Sequence, residues 1–222
     1  MIIPLTENYA INVHKEGEKF VFIFLCITVG MMFVNTFFFM VFLILTVCCV
    51  GFFRDPNRII SKKDGIVLSP CDGKVTKVAI VEAPAELKAL NRNEMIKISV
   101  FLSVFDVHVN RVPIAGKIIQ TIYTPGKFVN AALDKSSAEN ERNGIVIETN
   151  RGHRIGFVQI AGLIARRIVS EVKEGFEYNI GDRYGIIRFG SRMDIYLPTD
   201  YVTEVFEGQT MIGGETILAK FA

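Results

Sequence analysis

The sequence predicts an α+β protein that is mostly β. An N-terminal apolar helical hairpin or span occupies residues 1–53, and one barrel-like or sandwich-like strand-rich domain with few short helices occupies residues 54–222. Three observations lead there. From Phe20 to Phe53 the chain runs 34 residues without a charge, the signature of a membrane segment and not of a core helix. Beyond Lys63 it changes to short β-branched runs separated by turn residues, which is strand patterning. Helical signal in that second part is confined to Pro84–Leu90 and Asn130–Arg142, and there is no internal repeat or low-complexity tract.

The apolar segment is too long for one straight crossing. As a single helix it would extend about 51 Å at ~1.5 Å per residue, against a hydrocarbon thickness of ~30 Å. The polar pair Asn35-Thr36 divides it near its middle, and both flanks are basic: Lys15 and Lys19 before, Arg54, Arg58, Lys62 and Lys63 after. Positive charge on both sides places both ends on the cytoplasmic face, so the expected form is a tight hairpin held at the inner membrane. A single tilted helix with an interfacial extension is the other solution. No small-residue cleavage site follows the segment, so it is expected to stay in the mature protein.

In the second part, Lys74–Ile80, Ile96–Leu102 and Lys117–Tyr123 are expected strands. Gly144–Thr149 and Arg154–Ile160 flank Asn150-Arg151-Gly152-His153 as a hairpin. The net charge of +2 is too small to indicate nucleic acid, and the basic residues beside the apolar segment suit anionic lipid headgroups better. Three of the four cysteines, Cys26, Cys48 and Cys49, lie inside the apolar segment and Cys71 stands alone. That spacing gives neither a disulfide framework nor a metal site, and fits a reduced compartment.

The chemistry-bearing feature is Gly190-Ser191, set inside the apolar strand-like run Tyr184–Tyr196. If the backbone is strained there and a base reaches the hydroxyl, Ser191 Oγ can attack the Gly190 carbonyl. The amide becomes an ester, β-elimination breaks it, and the serine ends as a pyruvoyl group, a built-in electron sink. Glycine leaves the attacked carbonyl unshielded. Taken alone the pair is also a common bend or bulge. The domain offers two histidines to serve as base: His153 at the expected hairpin tip, where a solvated turn residue is the plain reading, and His108, in a polar cluster interrupting the run Val100–Pro113. Asp72, before Gly73, is a candidate orienting carboxylate or simply a turn residue.

Taken together, Phe52-Phe53-Arg54-Asp55-Pro56, Ser69-Pro70-Cys71-Asp72-Gly73, Phe101–Arg111, Gln159–Val169 and Arg188-Phe189-Gly190-Ser191-Arg192-Met193-Asp194 resemble the phosphatidylserine decarboxylases of the short bacterial form. Five ordered motifs span nearly the whole chain. The resemblance implies a carboxy-lyase proenzyme that cuts itself between Gly190 and Ser191 into chains 1–190 and 191–222, which remain together as a heterodimer; higher assembly is compatible with it. Ser191 would become the covalent pyruvoyl cofactor that forms a Schiff base with phosphatidylserine, and hydrolysis after loss of CO₂ would release phosphatidylethanolamine. No metal or nucleic acid is implied. Asp72 would help activate the serine, and His108 would handle substrate and proton.

The chain departs from the longer relatives at two places. They carry a second histidine three positions after the first, where this sequence has Arg111, and Leu-Gly-Ser-Thr where it has Phe189-Gly190-Ser191-Arg192. Arginine stays protonated and is a poor base. Either His108 serves both self-cleavage and turnover, or Asp72 acts on a strained bond without a histidine relay. Arg111, Arg166 and Arg167 are candidates for the substrate phosphate or carboxylate. The competing classes are a pyruvoyl decarboxylase of another amine-bearing substrate, an uncleaved membrane-anchored lipid binder, and a carrier domain, for which the hairpin tip lacks the necessary lysine.

Overall fold

The computed structural model describes residues 12–126, 140–162, 167–188 and 191–221. It divides between Asn57 and Arg58 into two compact units. The first is a helical hairpin, α1 (Lys15–Met32) and α2 (Thr36–Phe52). The break falls where the polar pair predicted it. Asn35 is the N-cap of α2, its side-chain oxygen accepting from Phe37 N at 2.8 Å, which satisfies one of the amides a helix start leaves open. Thr28 and Thr46 Oγ1 meet at 2.8 Å between the helices, and a bridge between Val13 and Arg54 closes the base. A single continuous span is therefore not what forms, and among the described residues no helix is long and apolar enough to cross a membrane. Phe22, Phe33, Val34 and Phe37 on the hairpin are each more than half exposed.

The second unit holds fourteen strands among the described residues: β1 (Ile66–Leu68), β2 (Gly73–Glu82), β3 (Glu94–Leu102), β4 (Val109–Arg111), β5 (Gly116–Thr124), β6 (Arg142–Glu148), β7 (Arg154–Ala161), β8 (Ile168–Ser170), β9 (Glu177–Tyr178), β10 (Arg183–Ile187), β11 (Ser191–Leu197), β12 (Tyr201–Thr203), β13 (Thr210–Met211) and β14 (Ile217–Phe221). Eight of them form one sheet, ordered β13-β2-β3-β11-β7-β6-β5-β9. Two three-stranded sheets, β1-β14-β12 and β4-β10-β8, complete the unit. One core joins all three sheets: Val67, Leu218 and Tyr201 from the first small sheet, Ile168, Tyr184 and Ile187 from the second, and Ile98, Val100, Phe157, Met193 and Ile195 from the large one. A smaller cluster, with Leu87, Leu90, Met95, Val158 and Tyr196, covers the other face of the large sheet.

The expected strands and the β6–β7 hairpin form. Pro84–Leu90 yields only a single 3₁₀ turn at Lys88–Leu90. Of the expected helix Asn130–Arg142, residues 130–139 lie outside the described residues, and its end, Arg142, begins β6 instead. His153 is not a freely solvated turn residue: its ring packs edge-on against Phe221 at 4.5 Å and Tyr201 at 5.6 Å. The run Tyr184–Tyr196 is not one strand. Its first part, β10, belongs to a small sheet and its second, β11, to the large one, so the chain crosses from one sheet to the other between Ile187 and Ser191.

Gly73 fixes the approach of β2 to β3. Its φ is +144°, and a Cβ there would stand 2.3 Å from Phe101 O, a contact no side chain tolerates. Gly73→Ala is expected to destabilise the domain by about 1–3 kcal/mol, read as a lower midpoint in urea at unchanged slope. An unaltered midpoint would mean that β2 can move away from β3 at no cost.

Candidate active site

Ser191 opens β11, one of the two middle strands of the large sheet, and pairs with Leu102 of β3 on one side and Ala161 of β7 on the other. Side chains alternate along a strand, so Ser191 shares a face with Met193 and Ile195, which lie in the core between the sheets. Ser191 is fully buried, and its Oγ has no hydrogen-bond partner among the described residues. A hydroxyl taken out of water without a partner costs free energy. Gly190 lies outside the described residues.

His108 reaches the same crossing by a second route. Leu102, the partner of Ser191, ends β3; residues 103–107 then lead to His108, whose carbonyl accepts from Ile187 N at 3.4 Å. The connection from Leu102 to His108 thus begins beside Ser191 and ends beside the last residue of β10. The imidazole is fully buried, with Nδ1 2.9 Å from Asp106 O. A carbonyl oxygen only accepts, so this bond puts the proton on Nδ1 and leaves Nε2 as the nitrogen able to take or return one.

Asp72 stands at the same end of the sheet. Lys74, Phe101 and Arg192 lie in one row across β2, β3 and β11, which sets Asp72 about two strand spacings, ~10 Å, from Ser191 in backbone terms. Its carboxylate accepts from Arg58 Nη2 at 2.8 and 3.0 Å and from Gly213 N at 2.7 Å. Arg58 is therefore engaged with Asp72 and only 14% exposed, not displayed for headgroups as its place in the basic linker suggested. Cys71, the residue before Asp72, is fully buried. Desolvation, followed by the Asp72 and Asp106 carboxylates, pushes its thiol well above the ordinary range.

The three arginines separate. Arg111 is buried, and its Nη1 donates to Gly181 O at 3.1 Å. A Cβ on Gly214 would meet its Cδ at 2.9 Å, so it lies beside the Gly213 turn that holds Asp72. Arg167 is exposed, and its carbonyl accepts from Arg188 N at 3.3 Å. Arg166 lies outside the described residues.

Sequence reasoning passed over Asn110. It is fully buried, and its Oδ1 accepts from Gln159 Nε2 at 2.9 Å, while Gln159 Oε1 accepts from Asn143 Nδ2 at 3.0 Å. Gln159 is paired with Met193, two residues from Ser191 on the same face. This chain of amides leaves Asn110 Nδ2 without a hydrogen-bond partner among the described residues, two residues from His108. No spacing links positions 110, 143 and 159, so only the fold reveals it.

Residues 45–219 match the family described as phosphatidylserine decarboxylase. The chain belongs to the phosphatidylserine decarboxylase family. It is 48% identical over 209 residues, 94% of this chain and 90% of the relative, to the phosphatidylserine decarboxylase proenzyme of Rickettsia akari (strain Hartford). The same figures hold for the phosphatidylserine decarboxylase proenzyme of Rickettsia felis (strain ATCC VR-1525 / URRWXCal2). The span shared with the phosphatidylserine decarboxylases takes in Asp72, His108 and Ser191 together, and with them the strands that bring them to one end of the sheet.

Proposed function

We propose that this chain is a proenzyme that cuts itself between Gly190 and Ser191 and then decarboxylates phosphatidylserine to phosphatidylethanolamine at the cytoplasmic face of the inner membrane. The observation that carries the reading is Ser191 Oγ: buried, without a hydrogen-bond partner among the described residues, at the head of a central strand, in a family whose relatives are named proenzymes. A pyruvoyl group made from Ser191 fits this place, since it would remain covalently part of β11 between Leu102 and Ala161. Once formed, it would supply a ketone for the substrate amine and a conjugated carbonyl as electron sink for decarboxylation.

The chain's own groups do the rest. His108 Nε2 takes the proton of Ser191 Oγ for self-cleavage and later returns a proton to the substrate carbon that lost its carboxylate. Asp106 O, by accepting from Nδ1, holds the ring in the tautomer this needs. Asp72, saturated by Arg58 and Gly213, holds the turn that carries β2 against β3 and adds negative potential near the site, in place of a direct relay to Ser191. Arg111, joined to Gly181 and placed where longer relatives have a histidine, builds the wall behind Asp72. Arg167 meets the lipid phosphate. The exposed apolar residues of α1 and α2 support attachment of the hairpin to the bilayer surface.

Intact-protein mass spectrometry tests the reading. Purified wild type should give chains 1–190 and 191–222, the shorter with a blocked, ketone-bearing N-terminus, and Ser191→Ala should give one full-length chain. A wild type that stays uncut on incubation sinks the proenzyme reading and leaves a lipid-binding relative in its place.

A further inference from the structure

The amides of Asn143, Gln159 and Asn110 form a chain that runs along the face from which Ser191 projects. In β7 and β11, Ala161 stands opposite Ser191 and Gln159 opposite Met193. Ala161 and Met193 belong to the core between the sheets. Side chains alternate along a strand, so Gln159 and Ser191 share that face, in rows about 7 Å apart at ~3.4 Å per residue. Gln159 also lies opposite Asn143 of β6, and its Oε1 accepts from Asn143 Nδ2 at 3.0 Å. The two polar atoms of one amide diverge. With Oε1 turned toward β6, Nε2 turns away from it, and β11 is the strand on that other side of β7. Gln159 Nε2 donates to Asn110 Oδ1 at 2.9 Å.

The sheet that carries Asn110 is seated on the same row by a second contact. Asn110 stands opposite Gly185 of β10, and Tyr184, the residue before that glycine, donates its hydroxyl to Met193 Sδ at 3.8 Å. Asn110 and Tyr184 thus rest on Gln159 and Met193, the row next to Ala161 and Ser191. Two residues before Asn110, His108 O is bonded to Ile187 N. Asn110 is 0% exposed, its Oδ1 is committed to Gln159, and its Nδ2 has no hydrogen-bond partner among the described residues. Asn110 Nδ2 and Ser191 Oγ, both buried and both without such a partner, therefore belong to neighbouring rows of one interior. Leaving a buried donor unpaired costs free energy. A donor held in that state near a nucleophile is suited to a charge that exists only during reaction.

We propose that Asn110 Nδ2 stabilises the oxyanion of self-cleavage. The inference deepens the proenzyme reading above and rests on it. When Ser191 Oγ adds to the carbonyl of residue 190, the O–C bond forms, the hydroxyl proton passes to His108 Nε2, and the carbonyl π pair moves onto oxygen. That oxygen sits on the carbon that Oγ has joined, so the charge develops beside Oγ by bonding alone. Collapse breaks the C–N bond, the amine of residue 191 takes the proton, and an ester remains. Elimination removes the Cα proton of residue 191, breaks the Cβ–Oγ bond and frees the carboxylate of residue 190; water then hydrolyses the dehydroalanine to the ketone with loss of ammonia. The donor meets negative charge in the addition and again on the departing carboxylate. Binding the substrate carboxylate suits it less, because a donor there stabilises the charge that decarboxylation must disperse.

Full-length chains made by cell-free synthesis with phospholipid vesicles present, and followed over time by mass spectrometry, test the assignment. Asn110→Ala should slow the appearance of fragments 1–190 and 191–222 by about 10²–10³-fold. Asn110→Asp keeps the shape and the acceptor for Gln159 while replacing the donor; it should be slowed at least as much, and it serves if Asn110→Ala folds poorly. Gln159→Leu breaks the amide chain but leaves the Asn110 amide in place, and should slow cleavage far less. Hydroxylamine cuts any ester already formed and so reads the first step alone; it should not restore the rate of Asn110→Ala. Wild-type rates in both position-110 variants, a loss in Gln159→Leu equal to that in Asn110→Ala, or full rescue by hydroxylamine would each overturn the assignment. A wild type that stays uncut overturns the proenzyme reading as well, whereas a cut wild type with unaffected variants removes only the role of Asn110.

Discussion

His108→Ala should lower decarboxylation by about 10²–10⁴-fold, the range for a positioned general acid or base. The expectation rests on three facts: the ring is fully buried, its Nδ1 is committed to Asp106 O, and its backbone is bonded to the end of β10. Alanine keeps the backbone bond and removes only the imidazole, so the fold should survive with a cost of about 1 kcal/mol from the freed carbonyl. Self-cleavage should slow in parallel, because no other imidazole among the described residues is placed at this crossing. His153 is occupied with Phe221 and Tyr201. The measurement is phosphatidylethanolamine formed per cleaved chain, with fragment yield read separately and a melting curve as control. Normal turnover per cleaved chain would reject His108 as proton donor, and normal cleavage with lost turnover would assign the activation of Ser191 elsewhere.

Asp194→Asn should produce the largest loss of stability. Asp194 is fully buried and receives Arg192 Nε at 2.6 Å, Arg192 Nη2 at 3.1 Å and Lys97 Nζ at 3.2 Å; Arg192 Nη2 also reaches Ser99 Oγ at 3.1 Å. Asparagine preserves the shape but leaves two cations facing a neutral amide in a site closed to water. Breaking such a pair costs about 3–5 kcal/mol, which for a domain of this size lowers the melting temperature by roughly 10 °C. Because Arg192 and Asp194 point away from the face of Ser191, the loss should appear in stability and only secondarily in chemistry. A shift below about 1 kcal/mol would show that water reaches this side of the sheet.

Much of this was legible in the sequence where the signal is local. The Asn35-Thr36 break works because an N-cap needs only the residues beside it, and the strands of β2, β3, β5, β6 and β7 follow from β-branched runs between turn residues. What resisted reading was non-local. The apolar run Tyr184–Tyr196 looks continuous because both of its halves are buried, yet they serve different sheets, and nothing in a period-two pattern says which strand lies alongside. Arg58 was read as a headgroup contact because basic residues next to an apolar segment are usually solvated. Its carboxylate, Asp72, is 14 positions away, and the amide that completes the arrangement, Gly213, is 141 positions beyond that. Ser191 and His108 stood out by residue type. Asn110, an unremarked amide in a strand, became visible only when Gln159 and Asn143 were found beside it.

The position of Ser191 at the first rung of β11 has a consequence for what a break ahead of it would do. Residues 191–221 supply β11 between β3 and β7, β13 against β2, and the pair β12 and β14, of which β14 lies against β1. The shorter fragment would therefore contribute strands to two sheets, with β11 held on both sides by the longer one. A nick there removes a covalent bond without removing a single strand pairing. The two polypeptides would behave as one folding unit with a new chain end at its rim, unable to part company short of global unfolding.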